Sequence, residues 1–272
     1  MAVSSCLMSE KDTSDSAARD YRHLPENEKA SVVRAIFDSV APRYDLMNDL
    51  MSGGIHRLWK AEMVARMKPR PGQRLIDVAG GTGDVALRAM PRLVPDVGSL
   101  MHETEHTPWN AAVVCDVNER MLEIGRARAI DQGFLFGLEW LAADAEKLPF
   151  RARSFDIYTI AFGLRSVTHF EAALAEARRV LKPGGRFLCL EFTPEVAPLL
   201  QPLYDFHSFY AVPLLGQIVA GDRDAYTYLV ESIRGFPHQG ELAEMIAGAG
   251  LDQVKYRNLT GGVAALHSAW RL

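Results

Sequence analysis

The sequence predicts an α/β fold, a doubly wound and mostly parallel seven-stranded sheet with a helical cap at its N-terminal side. Three observations predict it. An apolar run enters a glycine cluster and leaves as an amphipathic helix at Leu75-Ile76-Asp77-Val78-Ala79-Gly80-Gly81-Thr82-Gly83-Asp84. Strand-like and helix-like runs alternate from residue 74 to residue 191, the pattern of a parallel sheet with right-handed crossovers. Two further strand-like runs end the chain.

The elements follow in order. Val32, Val33, Ile36 and Phe37 recur at helical spacing. Pro42 suits the first turn of a second helix, which Gly53-Gly54 ends, and residues 55–67 read as a third. These helices form a cap that can pack on the sheet edge and serve as a lid over a ligand. Residues 74–78 are the first strand, and Val85, Leu87, Met90 and Leu93 mark the helix after the glycines. Residues 95–110, with two prolines, a glycine and no periodicity, read as an inserted surface loop. Strands are then predicted at 111–115, 138–141, 155–161 and 186–191, and helices at 118–130 and 170–181, the last closed by Lys182-Pro183-Gly184-Gly185. Residues 196–220 are apolar and aromatic; helices at 222–233 and 240–249 precede closing strands at 251–256 and 263–270.

Composition narrows the field. The chain has 272 residues, 48% hydrophobic and 24% charged, which suits one large α/β domain with an appendage or two small domains. A net charge of −4 offers no overall basic field for nucleic acid. Cys6, Cys115 and Cys189 form no CxxC pair, so the reading is a reducing compartment and no metal site. The longest apolar candidate for a membrane span, residues 210–220, is short and broken by Pro213, Gly216 and Gln217. Residues 1–24 are polar and acidic, expected to be a disordered or processed tail.

Ligands of such sheets bind at the C-terminal ends of the strands. Here consecutive strands deliver the glycine turn with Thr82, then Asp116, then Asp144-Ala145. A carboxylate after the second strand can accept both hydroxyl protons of a ribose, and Asp144 with the N–H of Ala145 suits an adenine edge. A dinucleotide enzyme is the weaker competitor: its acid would lie about 20 residues past the glycines, whereas Asp116 lies 33 past Gly83, and its fingerprint wants glycine at Ala79.

The order Asp77-x-Ala79-x-Gly81-x-Gly83, followed by Lys182-Pro183-Gly184-Gly185 before a strand, resembles the class I S-adenosylmethionine-dependent methyltransferases. The flanks narrow the resemblance. Phe37-Asp38-Ser39-Val40-Ala41-x-x-Tyr44-Asp45-x-Met47-Asn48-Asp49, Gly54-Ile55-His56-Arg57-Leu58-Trp59-Lys60, Phe162-Gly163-Leu164-Arg165-x-Val167-Thr168 and Asn258-Leu259-Thr260-x-Gly262-Val263-x-Ala265-Leu266-His267 are similar to signatures of the ubiquinone/menaquinone C-methyltransferases of the UbiE type. Two departures stand out: Ser166 where relatives often carry Asn, and a loop before Asp116 longer than in bacterial relatives.

The resemblance implies a Rossmann-like methyltransferase domain over 25–272, made of a cap (25–70), a cofactor core (71–195), a substrate-side helical insert (196–237) and a closing helix and strands (238–272). It implies S-adenosyl-L-methionine as cofactor, held by Gly80, Gly81, Thr82, Gly83, Asp116, Asp144, Ala145 and Ala161. The implied reaction is ring methylation of 2-methoxy-6-polyprenyl-1,4-benzoquinol, with demethylmenaquinol methylation or a non-catalytic cofactor-binding subunit as alternatives. Arg165 and Tyr44 are the candidate catalytic residues, Arg165 holding a phenolate or orienting a water. Asn48, His56, Tyr204 and Tyr210 are the candidate substrate contacts, His56 having the competing role of a core histidine. A polyprenyl substrate further implies peripheral membrane contact, a place in a multi-subunit ubiquinone-biosynthesis complex, homodimerisation, and the matrix face of the inner mitochondrial membrane or a bacterial membrane periphery.

Overall fold

The computed structural model describes residues 48–49, 52–94, 110–198 and 223–272. The expected helices before residue 48, most of the inserted loop and most of the aromatic stretch lie outside the described residues, as do Tyr44, Tyr204 and Tyr210.

Seven strands form one sheet: β1 (Leu75–Val78), β2 (Asn110–Asp116), β3 (Gly137–Ala142), β4 (Phe155–Ala161), β5 (Leu181–Phe192), β6 (Asp252–Leu259) and β7 (Ala264–Arg271). Their order is β3-β2-β1-β4-β5-β7-β6. Strands β1 to β5 pair in parallel, and β7 runs antiparallel between β5 and β6. The winding reverses between β1 and β4, which opens a crevice at their C-terminal ends. Helices α1 (His56–Met67), α2 (Asp84–Leu93), α3 (Glu119–Asp131), α4 (Phe170–Val180), α5 (Arg223–Arg234) and α6 (Gln239–Gly248) complete the described elements.

Alternation along the strands divides the core in two. Leu75, Ala112, Val114, Ile157 and Leu188 join a cluster with Trp59, Met63, Met90 and Phe192. Ile76, Val78, Val113, Tyr158 and Phe187 join one with Leu174, Leu242 and Ile246. Burial on both faces is why these strands read as continuous apolar runs. Each such Leu, Ile or Met contributes roughly 1.5–3 kcal/mol relative to exposure. Cys115 and Cys189 are buried and free, and burial pushes the Cys115 thiol up to about 12, so both pack as small hydrophobes.

The glycine pair after α4 is a bulge rather than a closing loop. Leu181 already pairs with Phe155, the chain swells through Lys182-Pro183-Gly184-Gly185, and pairing resumes with Arg186 against Ile157. Gly184 sits at φ +77°, and a Cβ on Gly185 would lie 2.7 Å from the Lys182 carbonyl oxygen. The cap helix α1 docks by Trp59, whose Nε1 donates to Thr260 Oγ1 at 2.9 Å, and by Arg92 Nη1, which donates to the Val64 carbonyl.

Candidate active site

The glycine turn bridges β1 and α2. Ala79, Gly81 and Gly83 lie at φ +49°, +55° and +73°, a left-handed succession that favours glycine. The Gly81 N–H donates to Asp116 Oδ2 at 2.8 Å, so the end of β2 fixes the turn directly. A Cβ on Gly80 would meet Val114 Cγ1 at 2.7 Å, and one on Gly83 would meet Trp140 Cη2 at 2.5 Å. At these two positions it is the packing of β2 and β3 behind the turn that excludes a side chain.

Asp77 lies beneath the turn, 1% exposed. Its Oδ1 accepts from Thr159 Oγ1 at 2.7 Å and its Oδ2 from the Ala86 N–H at 3.3 Å. Burial raises its pKa to about 6 against the pull of those two hydrogen bonds and of Lys60. Asp116 is half-buried; its Oδ1 accepts from the Asn118 N–H at 2.9 Å. Burial raises this carboxyl, and the backbone donors Asn118 and Gly81 oppose the rise. The Ala143 N–H donates to the Asp116 carbonyl at 3.0 Å, setting the third turn beside the second. There Asp144 is exposed and accepts from the Glu146 N–H at 2.9 Å, while Ala145 is buried. The structure thus brings the glycine turn, Asp116 and Asp144-Ala145 to adjacent strand ends. Thr82 differs from a freely offered hydroxyl: it is buried, and its Oγ1 accepts from Arg128 Nη1 at 3.1 Å.

On the other flank of the turn a cleft is lined by Lys60, Asp77, Ala79, Gly80, Thr82 and Ala161, among others. The loop after β4 runs against the same turn. Phe162 is at φ +58°, and a Cβ on Gly163 would stand 2.4 Å from the Ala79 Cβ. A short helical turn, Leu164–Ser166, follows. The Arg165 side chain is 1% exposed. Its Nη1 donates to the Phe162 carbonyl at 2.5 Å and to Glu191 Oε2 at 3.0 Å. Nε and Nη2 are buried without a hydrogen-bond partner among the described residues. Glu191 Oε1 accepts from the Arg165 N–H, and burial raises this carboxyl against the nearby guanidinium charge. Arg165 is therefore a buried guanidinium with one edge committed and, among the described residues, the other without a hydrogen-bond partner.

In the cap, His56 is buried and its Nε2 lies 2.9 Å from Asp49 Oδ1, while Arg57 grips both oxygens of Asp49. Burial lowers the His56 pKa, and the hydrogen bond to Asp49 opposes it. Ser52 Oγ donates to the Asn48 carbonyl and accepts from the His56 N–H, tying the three residues together. Asn48 Nδ2 and His56 Nδ1 are buried without partners among the described residues. Sequence reasoning missed Lys60 and Glu191. The available signals were a lysine one helical turn after His56 and a carboxylate at the end of a buried strand.

A sheet in this order, with a glycine turn and two acids on successive strand ends, is the fold of the class I S-adenosylmethionine-dependent methyltransferases. Solved structures share the fold. A SAM-dependent methyltransferase from Thermotoga maritima superposes with a TM-score of 0.59 at 19% identity, covering 88% of this chain and 100% of that one. The [4+2]-cyclase SpnF superposes with a TM-score of 0.61 at 16% identity, covering 88% and 94%. The fold alone therefore does not fix the reaction.

The chain belongs to the ubiE/COQ5 methyltransferase family, whose model matches residues 25–271. It is 51% identical to the mitochondrial 2-methoxy-6-polyprenyl-1,4-benzoquinol methylase of Danio rerio, over 93% of this chain and 83% of the relative. It is also 51% identical to the ubiquinone/menaquinone biosynthesis C-methyltransferase UbiE of Cereibacter sphaeroides, over 96% and 99%. The chain is a methyltransferase that uses S-adenosyl-L-methionine.

Proposed function

We propose that this enzyme methylates a ring carbon of 2-methoxy-6-polyprenyl-1,4-benzoquinol in ubiquinone biosynthesis. The names of its relatives support that substrate. The carrying observation is Arg165, whose Nε and Nη2 donors are buried without hydrogen-bond partners among the described residues, two residues past the Gly163 that packs on Ala79 of the glycine turn. S-adenosylmethionine supplies an electrophilic methyl group on a sulfonium. The chain must hold the ribose at Asp116, the adenine at Asp144 and Ala145, and the methionine arm along Gly80 to Gly83, with Ala161 flanking the cleft. It must also make the quinol carbon nucleophilic and hold it within about 3–3.5 Å of the methyl group. The free edge of Arg165 would stabilise the phenolate that forms as the phenolic proton leaves, directly or through an oriented water. Tyr44, Asn48 and His56 from the cap, with Tyr204 and Tyr210 along the tail, are the proposed substrate contacts.

No helix among the described residues is long and apolar enough to cross a membrane. A polyprenyl substrate resides in lipid, so the enzyme would work from the membrane periphery, within a multi-subunit assembly and as a homodimer. The Danio rerio relative is named as mitochondrial and other relatives are bacterial, which supports either setting; the site of action would then be the matrix face of the inner mitochondrial membrane or a bacterial membrane periphery. The names of the bacterial relatives also support demethylmenaquinol as a second substrate.

The test is transfer of labelled methyl to short-chain benzoquinol and demethylmenaquinol analogues by wild type, Arg165→Lys, and the double variant Arg165→Met/Glu191→Met. The double variant removes both buried charges together, because removing one leaves the other unpaired at a cost of about 3–5 kcal/mol. Both variants should bind cofactor near wild-type affinity and lose about 100-fold or more in turnover. Wild-type turnover in either variant overturns the role of Arg165, and absence of transfer by wild type to both analogues overturns the substrate.

A further inference from the structure

Lysine is rarely buried, yet Lys60 is 5% exposed and lines the cleft beside the glycine turn. It reaches there from α1, with Nζ 3.0 Å from Asp84 Oδ2 and 6.0 Å from the Phe162 ring centre. Asp84 is not reserved for it: the same carboxylate takes Arg88 Nε at 2.8 Å on Oδ1. The other acid in the cleft, Asp77, has its oxygens turned to Thr159 and the Ala86 N–H. Two cations therefore share Asp84, and an ammonium has three N–H donors to place. Pinning α1 to α2 would not require this expense, since Trp59 and Arg92 already tie α1 to its neighbours.

The position of the cleft suggests what completes the site. Asp116 and Asp144 end β2 and β3, on one side of β1, whereas the cleft with Ala161 lies toward β4. A cofactor with its adenosine at the two acids and its methionine arm along the turn would direct the end of that arm toward the cleft that Lys60 lines. That arm terminates in an α-amino carboxylate. We propose that Lys60 is the anchor for the cofactor's carboxylate, an inference that rests on the cofactor orientation given under Proposed function. Its helix also carries His56, whose titration feels both Lys60 and Asp84.

Calorimetric titration of the full chain with three ligands tests this. S-adenosylmethionine carries the whole amino-acid head, decarboxylated S-adenosylmethionine lacks only the carboxylate, and 5′-methylthioadenosine lacks the head entirely. Wild type should prefer S-adenosylmethionine over its decarboxylated form by about 30-fold, the scale of a charge-assisted hydrogen bond. Lys60→Met should erase that preference while changing affinity for the other two ligands by less than about threefold. Lys60→Arg should keep it. An equal loss for all three ligands would reveal a purely structural lysine, and an undiminished preference in Lys60→Met would show another group reading the carboxylate; either overturns the assignment. Asp84→Asn is the arm that survives if Lys60→Met does not fold. It leaves Lys60 in place with one fewer anion, so the preference should persist or grow, and its loss overturns the proposal. Failure of wild type to bind S-adenosylmethionine at all would instead refute the cofactor orientation.

Discussion

Asp77 shows how the site is held from below at the residue scale. It was visible in the sequence only as the acid that opens the glycine motif, with no role attached. In the structure it is the peg on which the turn hangs, one oxygen on Thr159 of β4 and the other on the Ala86 N–H of α2. That peg costs stability at neutral pH, because burial raises the carboxyl from 3.8 to about 6. A carboxyl raised in the folded state binds its proton more tightly there than in the unfolded chain. Its contribution is therefore fully present below about pH 4 and is lost as pH rises through about 6. Asp77→Asn abolishes that dependence. Whatever the variant loses in hydrogen bonding, its melting temperature relative to wild type should climb between pH 4 and pH 7, by the equivalent of about 2–3 kcal/mol. Parallel melting curves across that range would show that Asp77 titrates normally.

At the scale of elements, the strands were legible and their neighbours were not. β1, β2 and β4 announce themselves as apolar runs because both faces are covered, and their observed bounds differ from the sequence reading by a residue or so. The period of a run carries no information about which strand lies beside it, so the insertion of β7 between β5 and β6 could not be read. Lys60 escaped the reading, and the burial of Arg165 was not legible, for a related reason: a charged residue in a helix or loop reads as solvent-facing until packing covers it. Gly125 is a further case, an unremarkable glycine in α3. A Cβ there would stand 2.4 Å from Trp140 Cζ3, and one on Gly83 would stand 2.5 Å from Cη2 of the same ring. One glycine of the cofactor turn and one of α3 thus form a slot for Trp140, and the indole in turn backs the turn. Gly125→Ala should push the ring out at a cost of about 1–3 kcal/mol. It should also weaken cofactor binding, because the new Cβ would press on Trp140 behind the turn and stand 2.9 Å from the Thr82 carbonyl carbon within it. Wild-type melting temperature and wild-type affinity in the variant would sink the slot.

Across the whole molecule, the ordering of the chain and the ordering of the sheet disagree most at the C-terminus. Residues in β7 follow β6 in the chain, yet they occupy an inner position, paired along Gly185 to Phe192 of β5 on one side and to β6 on the other. Their side chains enter both cores: Ala264 and Leu266 lie with Trp59, Met63 and Phe192, and Ala269 lies with Tyr158 and Phe187. His267 is buried between them, with Nε2 2.9 Å from the Gln239 carbonyl and its pKa lowered by burial. The turn before β7 carries Thr260, which receives the Trp59 indole N–H and so ties the sheet's last hairpin to the cap helix beside Lys60. Removing residues 264–272 would strand β6, expose a full edge of β5 and open both cores at once. In a two-state domain that loss exceeds the whole stability margin of roughly 5–15 kcal/mol. A chain ending at residue 263 should therefore show no cooperative thermal transition and no cofactor binding. A cooperative melt with retained binding would mean that β1 to β5 and their helices fold as an independent unit, with the closing hairpin an accessory to it.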